Sequence, residues 1–353
     1  MSTIEDDSID LYSLTEADLT DLMARWNQPP FRAKQLGAWM YEHGATEFSQ
    51  MTNLPTALRE RLSRQTRLGS LNNVTEQISN DGTIKRLYRL TGGEMIESVL
   101  MCYDDKRRTA CISSQAGCAM GCTFCATGQM GFKRHLTATE IVEQALRFSC
   151  LLKQRGERLS NVVLMGMGEP FHNYDPVVQA IRRIMTQLGI GARHITVSTV
   201  GLAPKIRKFA QEGLQVKLAI SLHATSDDVR REMMPINSRY PISDLMDACR
   251  DYQRVTHRRI TFEWALISGE NDTIEQAHRL GELLHGIQCH VNLIPLNPTQ
   301  GFTGRPTTTK QARAFVDVLK KHNVPATVRV RRGIDIDAGC GQLTSRFSTQ
   351  ATS

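Results

Sequence analysis

Ala110-Cys-Ile-Ser-Ser-Gln-Ala-Gly-Cys-Ala-Met-Gly-Cys-Thr-Phe-Cys125 is a short apolar run that empties into a glycine-rich loop bearing three cysteines. Read as a strand, Ala110–Ser114 begins a series. Further candidates are Val162–Met167, Ile195–Thr199, Lys217–His223, Ile260–Ile267, Val291–Pro295 and a last one at Thr327–Arg332, which alternates valine with arginine. Helical stretches such as Thr139–Leu152 and Thr273–Leu284 fall between them. Alternating β and α units predict an α/β fold with a parallel sheet, a full or partial barrel. In such barrels ligands meet the C-terminal ends of the strands. Those ends carry Gly166–Pro170, Ser198 and Gly201, Ser221 and His223, and Asn297. Four polar or glycine-rich ends on one rim predict a ligand site.

Upstream of the barrel the pattern changes twice. Residues 12–64 read as helical: Leu11, Leu14, Leu19 and Leu22 recur at helical intervals, Thr15 is placed to cap, and Pro29-Pro30 separates the first helix from the next. A third helix starts at Pro55 and carries Arg59, Arg61 and Arg64. Residues 71–103 hold the runs Lys85–Leu90 and Met95–Met101, separated by Asp81-Gly82 and Gly92-Gly93, which are hairpin signals. The division is residues 1–68 as a helical module, 69–106 as a β-hairpin connector, 107–345 as the barrel, and 346–353 as a tail.

The 353 residues are 41% hydrophobic and 22% charged, enough to bury a core without covalent staples. No apolar run is long enough to span a membrane, and the acidic N-terminus lacks the layout of a signal peptide. A cytoplasmic protein is expected. Its net charge of +7 is unevenly spread: residues 1–24 hold seven acids and no Lys or Arg. The rest sets 43 basic residues against the other 29 acids, an excess of 14. That body suits a polyanionic partner such as nucleic acid.

Nine cysteines without an export signal argue for metal or redox chemistry over a disulfide framework. Cys118-x3-Cys122-x2-Cys125 is the strongest signal. A structural zinc site needs four closed ligands, and His135 is the nearest fourth candidate. Three thiolates alone suit a [4Fe–4S] cluster whose fourth iron stays open to a small chelating molecule. On the residues alone, Cys340 between Gly339 and Gly341 reads as a loop thiol, Cys111 as a core residue and Glu97 as a solvated strand residue. His223 reads equally as structural or functional.

The cysteine spacing after a first barrel strand resembles the radical S-adenosylmethionine (SAM) enzymes. The wider stretches Cys111–Cys118, Phe124–Gly128, Met165–Pro170, Ser221–Ala224, Leu293–Pro298 and Arg332–Leu343 resemble the RlmN/Cfr family of RNA adenosine methyltransferases along essentially the whole chain. The resemblance implies a partial (β/α)6-type radical SAM barrel. It implies that Cys118, Cys122 and Cys125 hold a [4Fe–4S] cluster and that SAM is bound by Gly168, Glu169, Ser198, the Ser221–Leu222–His223 segment and Asn297. Cys340 is then the cysteine that is methylated and carries the methyl group to the base. Cys111 is its disulfide partner, and Glu97 the acceptor of the ring proton.

The implied substrates are adenosines of 23S rRNA, at the peptidyl transferase centre, and of tRNA, 3′ of the anticodon, methylated at carbon 2. Two SAM molecules are consumed, and a flavodoxin-type donor supplies electrons to what is expected to be a monomer. Arg59–Arg67, Lys106–Arg108 and Arg329–Arg332 are the expected RNA contacts. The rival within the family is carbon-8 methylation, and the rival of another class is a non-catalytic iron–sulfur or zinc protein that binds RNA.

Overall fold

A computed structural model describes residues 8–344. Glu5, Asp6, Asp7 and the tail at 346–353 lie outside the described residues. The N-terminal helices form where the sequence supplies caps. Thr15 and Asp18 exchange side chain-to-backbone bonds at the start of Glu16–Arg25. Helix Phe31–Gly37 continues as a wider π-turn through Ala38–His43 and stops at Gly44, whose φ is +65°. Thr56–Gln65 follows Pro55. A short parallel pair, β1 (Ile9–Asp10) with β2 (Thr66–Arg67), closes the module on itself. Leu19, Leu22, Met23, Leu36, Met40, Leu58 and Leu62 bury against one another and onto Leu146 of the barrel helix Ala138–Gln154.

Twelve more strands follow. They are β3 (Asn72–Ile78), β4 (Ile84–Arg89), β5 (Met95–Cys102), β6 (Arg108–Cys111), β7 (Gln115–Gly117), β8 (Phe132–His135) and β9 (Asn161–Leu164), then β10 (Ile195–Thr199), β11 (Lys217–Ser221), β12 (Ile260–Leu266), β13 (Cys289–Pro295) and β14 (Ala326–Val328). Ten of them make one sheet, in the order β14-β13-β12-β11-β10-β9-β6-β5-β4-β3. From β6 to β14 all pairs are parallel, and helices between successive strands cover the outside. β3, β4 and β5 extend the same sheet antiparallel from β6, with turns at Asp81-Gly82 and Gly92-Gly93. The hairpins are thus part of the barrel sheet as well as the link to it. Buried Glu143 reinforces that junction: its carboxylate accepts from the Ser70 and Leu71 N–H groups and pairs with Arg147 at 2.7 Å.

The strand pattern is shortened at two ends. Pairing of the first barrel strand stops at Cys111, because Ser113 and Ser114 bond to the Gln144 side chain and to Met167 instead. The last strand ends at Val328. The Arg329 N–H still reaches Leu293 O at 2.8 Å, and residues 329–332 then leave the sheet to line the pocket. Among the described residues no helix is long and apolar enough to cross a membrane.

Candidate active site

The cysteine loop is built by β7 and β8, which pair antiparallel so that Gly117 lies opposite Phe132. Gly117 has φ +71°, and a Cβ there would sit 1.9 Å from Gly131 O. Only glycine permits that approach. It lets the Cys118 N–H reach Gly131 O at 3.0 Å, while the Cys125 N–H turns back to Cys122 O at 3.2 Å. Burial, with the neighbouring thiols adding to it, pushes Cys118 up to about 12 and Cys122 well above its ordinary value. Thiolates at such positions require a metal to hold the charge.

No three His, Cys, Asp or Glu side chains among the described residues converge tightly enough for one ion. His135 instead meets Gln115 at 3.0 Å and packs edge-on to His172. Three spread thiols without a fourth donor fit a [4Fe–4S] cluster, which is wider than an ion.

Strand ends complete the pocket. Gly168, at φ +99°, packs against Gln115 where a Cβ would be 2.5 Å away. Glu169 follows, almost fully buried; its two carboxylate oxygens accept from the N–H groups of Phe171 (2.9 Å) and Val200 (2.8 Å), and Gln115 accepts from its own N–H at 2.7 Å. Burial raises Glu169 to about 7. Ser198, Ser221, His223 and Asn297 all line the pocket.

His223 adopts φ +61°, and its Nδ1 accepts from the Ala265 N–H at 2.9 Å. Burial, with Arg230 nearby, lowers it to about 3, so the ring is neutral and carries its proton on Nε2. Leu222 differs: between two lining residues, it does not itself line the pocket; its side chain is buried in the core and its N–H donates to Glu263 O.

Cys111, at the end of β6, and Cys340, in the C-terminal segment, line the same pocket as Cys122 and Cys125. The Asn297 amide donates to Cys340 O at 3.0 Å, and the Ala126 N–H, next to Cys125, donates to Gly341 O at 2.8 Å. The Cys340 arm therefore lies on the cluster side of the barrel. Cys340 is exposed to the cavity yet walled by protein, which pushes its thiol up to about 11; burial and the Cys340 charge push Cys111 up to about 12, and Arg329 opposes both shifts. All nine cysteines are free thiols, so the disulfide expected between Cys111 and Cys340 is not a bond of this structure. The arm is held by other bonds.

Glu97 stands apart from this group. It is buried in a neighbouring cavity, where it accepts from the Thr344 N–H at 2.7 Å and faces Lys85 Nζ at 3.4 Å. Burial raises it to about 7, against the pull of Lys85.

Three further residues serve the site without a sequence signal. Fully buried Arg230 donates to Val200 O, Ser221 O, Leu222 O and Asn237 Oδ1, locking the ends of β10 and β11. Glu263, buried in β12, accepts from the Asn292 amide and faces Arg329 at 3.9 Å. Tyr103 lines the pocket, with the guanidinium groups of Arg107 and Arg332 over its ring at 4.2 and 4.6 Å. Of the expected RNA contacts, Arg108 is engaged by Glu157 (2.6 and 2.9 Å) and Arg67 by Ser8 O, whereas Arg331 is exposed at the pocket rim.

An open parallel barrel with a three-cysteine loop after its first strand defines a radical SAM enzyme, and the radical SAM superfamily model matches residues 112–281. The cofactors are those of the superfamily, a [4Fe–4S] cluster and SAM. The model of the ribosomal RNA large subunit methyltransferase N-terminal domain matches residues 9–68. The chain is 52% identical to dual-specificity RNA methyltransferase RlmN 1 of Myxococcus xanthus, over 96% of this chain and 95% of that one. It is 46% identical to a probable dual-specificity RNA methyltransferase RlmN of Geobacillus kaustophilus, over 97% and 94%. It superposes on the crystal structure of a radical SAM methyltransferase from Sphaerobacter thermophilus with a TM-score of 0.91 at 46% identity, covering 96% of this chain and all of that one. The chain belongs to the RlmN family of radical SAM RNA methyltransferases.

Proposed function

We propose that the enzyme methylates carbon 2 of adenosine, both in 23S rRNA at the peptidyl transferase centre and in tRNA 3′ of the anticodon. The observation that carries this reading is that Cys111 and Cys340, neither needed for a cluster, share one pocket with Cys122 and Cys125. Ring carbons of adenine are poor nucleophiles, so direct displacement on SAM does not serve; a thiol does. Cys118, Cys122 and Cys125 hold the cluster. Gly168 and Glu169 take the amino group of SAM, and Ser198, Ser221, the Leu222 backbone, His223 and Asn297 surround the rest of it. The cluster and SAM, when bound, supply the methyl group and the one-electron chemistry that opens an unreactive C–H bond.

The chain's own residues do the rest. Cys340 loses its proton, is methylated by one SAM, and carries that carbon to the base while a second SAM is consumed. Gly339 and Gly341 give the arm its freedom. Cys111 then attacks the Cys340 sulfur, so the bond from that sulfur to the transferred carbon breaks as a transient disulfide forms. Glu97 accepts the ring proton. A flavodoxin-type donor restores cluster and thiols.

The helical module, residues 1–68, acts as an RNA-binding accessory domain, joined through 69–106 to the barrel at 107–345. RNA is gripped by Arg59–Arg64, Lys106–Arg107 and the Arg329–Arg332 rim, the target adenosine being splayed out to reach the pocket. The enzyme works as a cytoplasmic monomer. The relatives' designation as dual-specificity supports two RNA classes.

Nucleoside mass spectrometry of rRNA and tRNA treated with reduced enzyme tests the proposal. The expected product is 2-methyladenosine in both, and 8-methyladenosine as the main product would overturn it.

A further inference from the structure

Arg230 is fully buried, and the four hydrogen bonds of its guanidinium all go to neutral oxygens. They are the carbonyls of Val200 (2.7 Å), Leu222 (3.1 Å) and Ser221 (3.2 Å) and the side-chain oxygen of Asn237 (2.9 Å). The Asp227 carboxylate is held off by Asn237, whose amide donates to it at 2.9 Å. A guanidinium keeps its charge, and burying a charge without a bonded counter-ion is costly. An uncharged side chain of similar volume would avoid that cost, so packing alone does not account for an arginine here.

The surroundings direct this charge at the cluster loop. Arg230 lies on the helix Asp227–Met233, whose last carbonyl, Met233 O, accepts from the Thr123 N–H at 3.0 Å, one residue past Cys122. Met234, whose N–H donates to Arg230 O at 2.7 Å, lines the pocket together with Cys122 and Cys125. The segment that Arg230 clamps at Ser221 and Leu222 continues into His223, whose ring packs edge-on to Phe124, between those two cysteines, at 5.0 Å. Its third carbonyl partner, Val200, donates its own N–H to Glu169 at 2.8 Å. Of the anionic groups around Arg230, Cys122 does most to hold its proton against burial, ahead of Asp227 and Cys249.

We infer that Arg230 is the counter-charge of the [4Fe–4S] cluster, a positioning residue that braces the loop from behind and sets how readily the cluster accepts an electron. The inference rests on the reading of Cys122 as a cluster ligand. A [4Fe–4S] core on three thiolates is net negative and becomes more so on reduction, so a fixed cation behind Cys122 favours the reduced state. Burial spares that cation the screening a surface charge suffers. The same guanidinium also orders the ends of β10 and β11, so its charge and its bonds have to be tested apart.

Three variants do this in the full-length chain, reconstituted anaerobically and read by EPR-monitored redox titration and by iron content. Arg230→Gln removes the charge. It should lower the equilibrium constant for reduction of the cluster by about tenfold, the scale of one unit charge acting across a protein interior. For a one-electron couple that is a potential more negative by about 59 mV. Arg230→Lys loses the planar fork but keeps the charge, and should stay within about threefold of the parent. Asp227→Asn combined with Asn237→Asp keeps the guanidinium and sets a carboxylate directly on it at unchanged net charge, so it reads charge even where Arg230→Gln disturbs the fold. It should lower the constant by about threefold or more. Parental potentials in both Arg230→Gln and the exchange, at parental iron content, would overturn the inference. So would a shift in Arg230→Lys as large as that in Arg230→Gln, which is what a purely structural role predicts. Parental iron in Cys122→Ala would instead refute the ligand reading, and the inference with it.

Discussion

Replacing Glu97 with Gln removes a charge while keeping the shape of the side chain that lines its cavity. Glu97 is almost fully buried, and its carboxyl is raised from 4.5 to about 7, chiefly by desolvation and partly offset by Lys85 at 3.4 Å. A rise of that size biases the group toward its neutral form by on the order of 3 kcal/mol. A base must be ionised to act, so methyl transfer to RNA should rise about tenfold per pH unit up to about 7 and level off above it. Glu97→Gln should flatten that limb and lower the plateau by ~10²–10⁴, the usual contribution of a positioned base. Lys85→Met removes the cation that favours the ionised form, so the inflection should move above 7.

The same shift has a stability consequence of known sign. The folded state holds its Glu97 proton more tightly than the unfolded chain, so Glu97 costs stability as pH rises from about 4.5 through about 7. Glu97→Gln should lose that slope. Initial rates at saturating RNA and SAM, from about pH 5.5 to about pH 9, read the kinetic part. A Gln variant with the parental rate, or a Lys85→Met inflection that does not move upward, would refute the role of Glu97.

Other consequences are as direct. Arg230→Met leaves four acceptors without their donor and should destabilise the fold by about 4 kcal/mol, at roughly 1 kcal/mol each, measured by urea unfolding of the reconstituted protein. Gly117→Ala places a Cβ against Gly131 O, so anaerobic preparations should lose most of their iron and visible absorbance while the N-terminal helices keep their circular dichroism. Arg331→Gln, at the exposed rim, should weaken binding to all RNA sequences alike and reduce the salt-dependence slope by about 1.

The sequence made the cluster loop legible because a metal cluster needs several thiols at short range, and loop geometry fixes their spacing. The parallel strands were legible because burial on both faces demands continuous apolar runs, as in Leu218–Ile220 and Trp264–Leu266. Strand ends were less so. Residues 329–332 alternate as a strand does, yet they leave the sheet to line a pocket.

Glu97 in an apolar hairpin reads as a solvated residue; in the fold it is buried, with Lys85 beside it and the N–H of Thr344, 247 positions away, donating to its carboxylate. Arg230 sits in Asp227–Met233, a helix whose run of charges reads as a solvated face, and nothing local announces that one guanidinium turns inward to three carbonyls of neighbouring strand ends. That residues of β3, β4 and β5 line the cavity holding Glu97 depends on where the C-terminal segment crosses the sheet, which no local pattern encodes.

The measurement closest to the central claim is the mass of the Cys340 peptide, taken before and after a single turnover. Protein supplied with SAM should carry one methyl group on Cys340 and on no other cysteine, and that group should appear on RNA when reductant and substrate are added. An enzyme that methylates RNA while Cys340 stays unmodified, or whose labelled Cys340 methyl stays on the protein while RNA is methylated, would contradict the account.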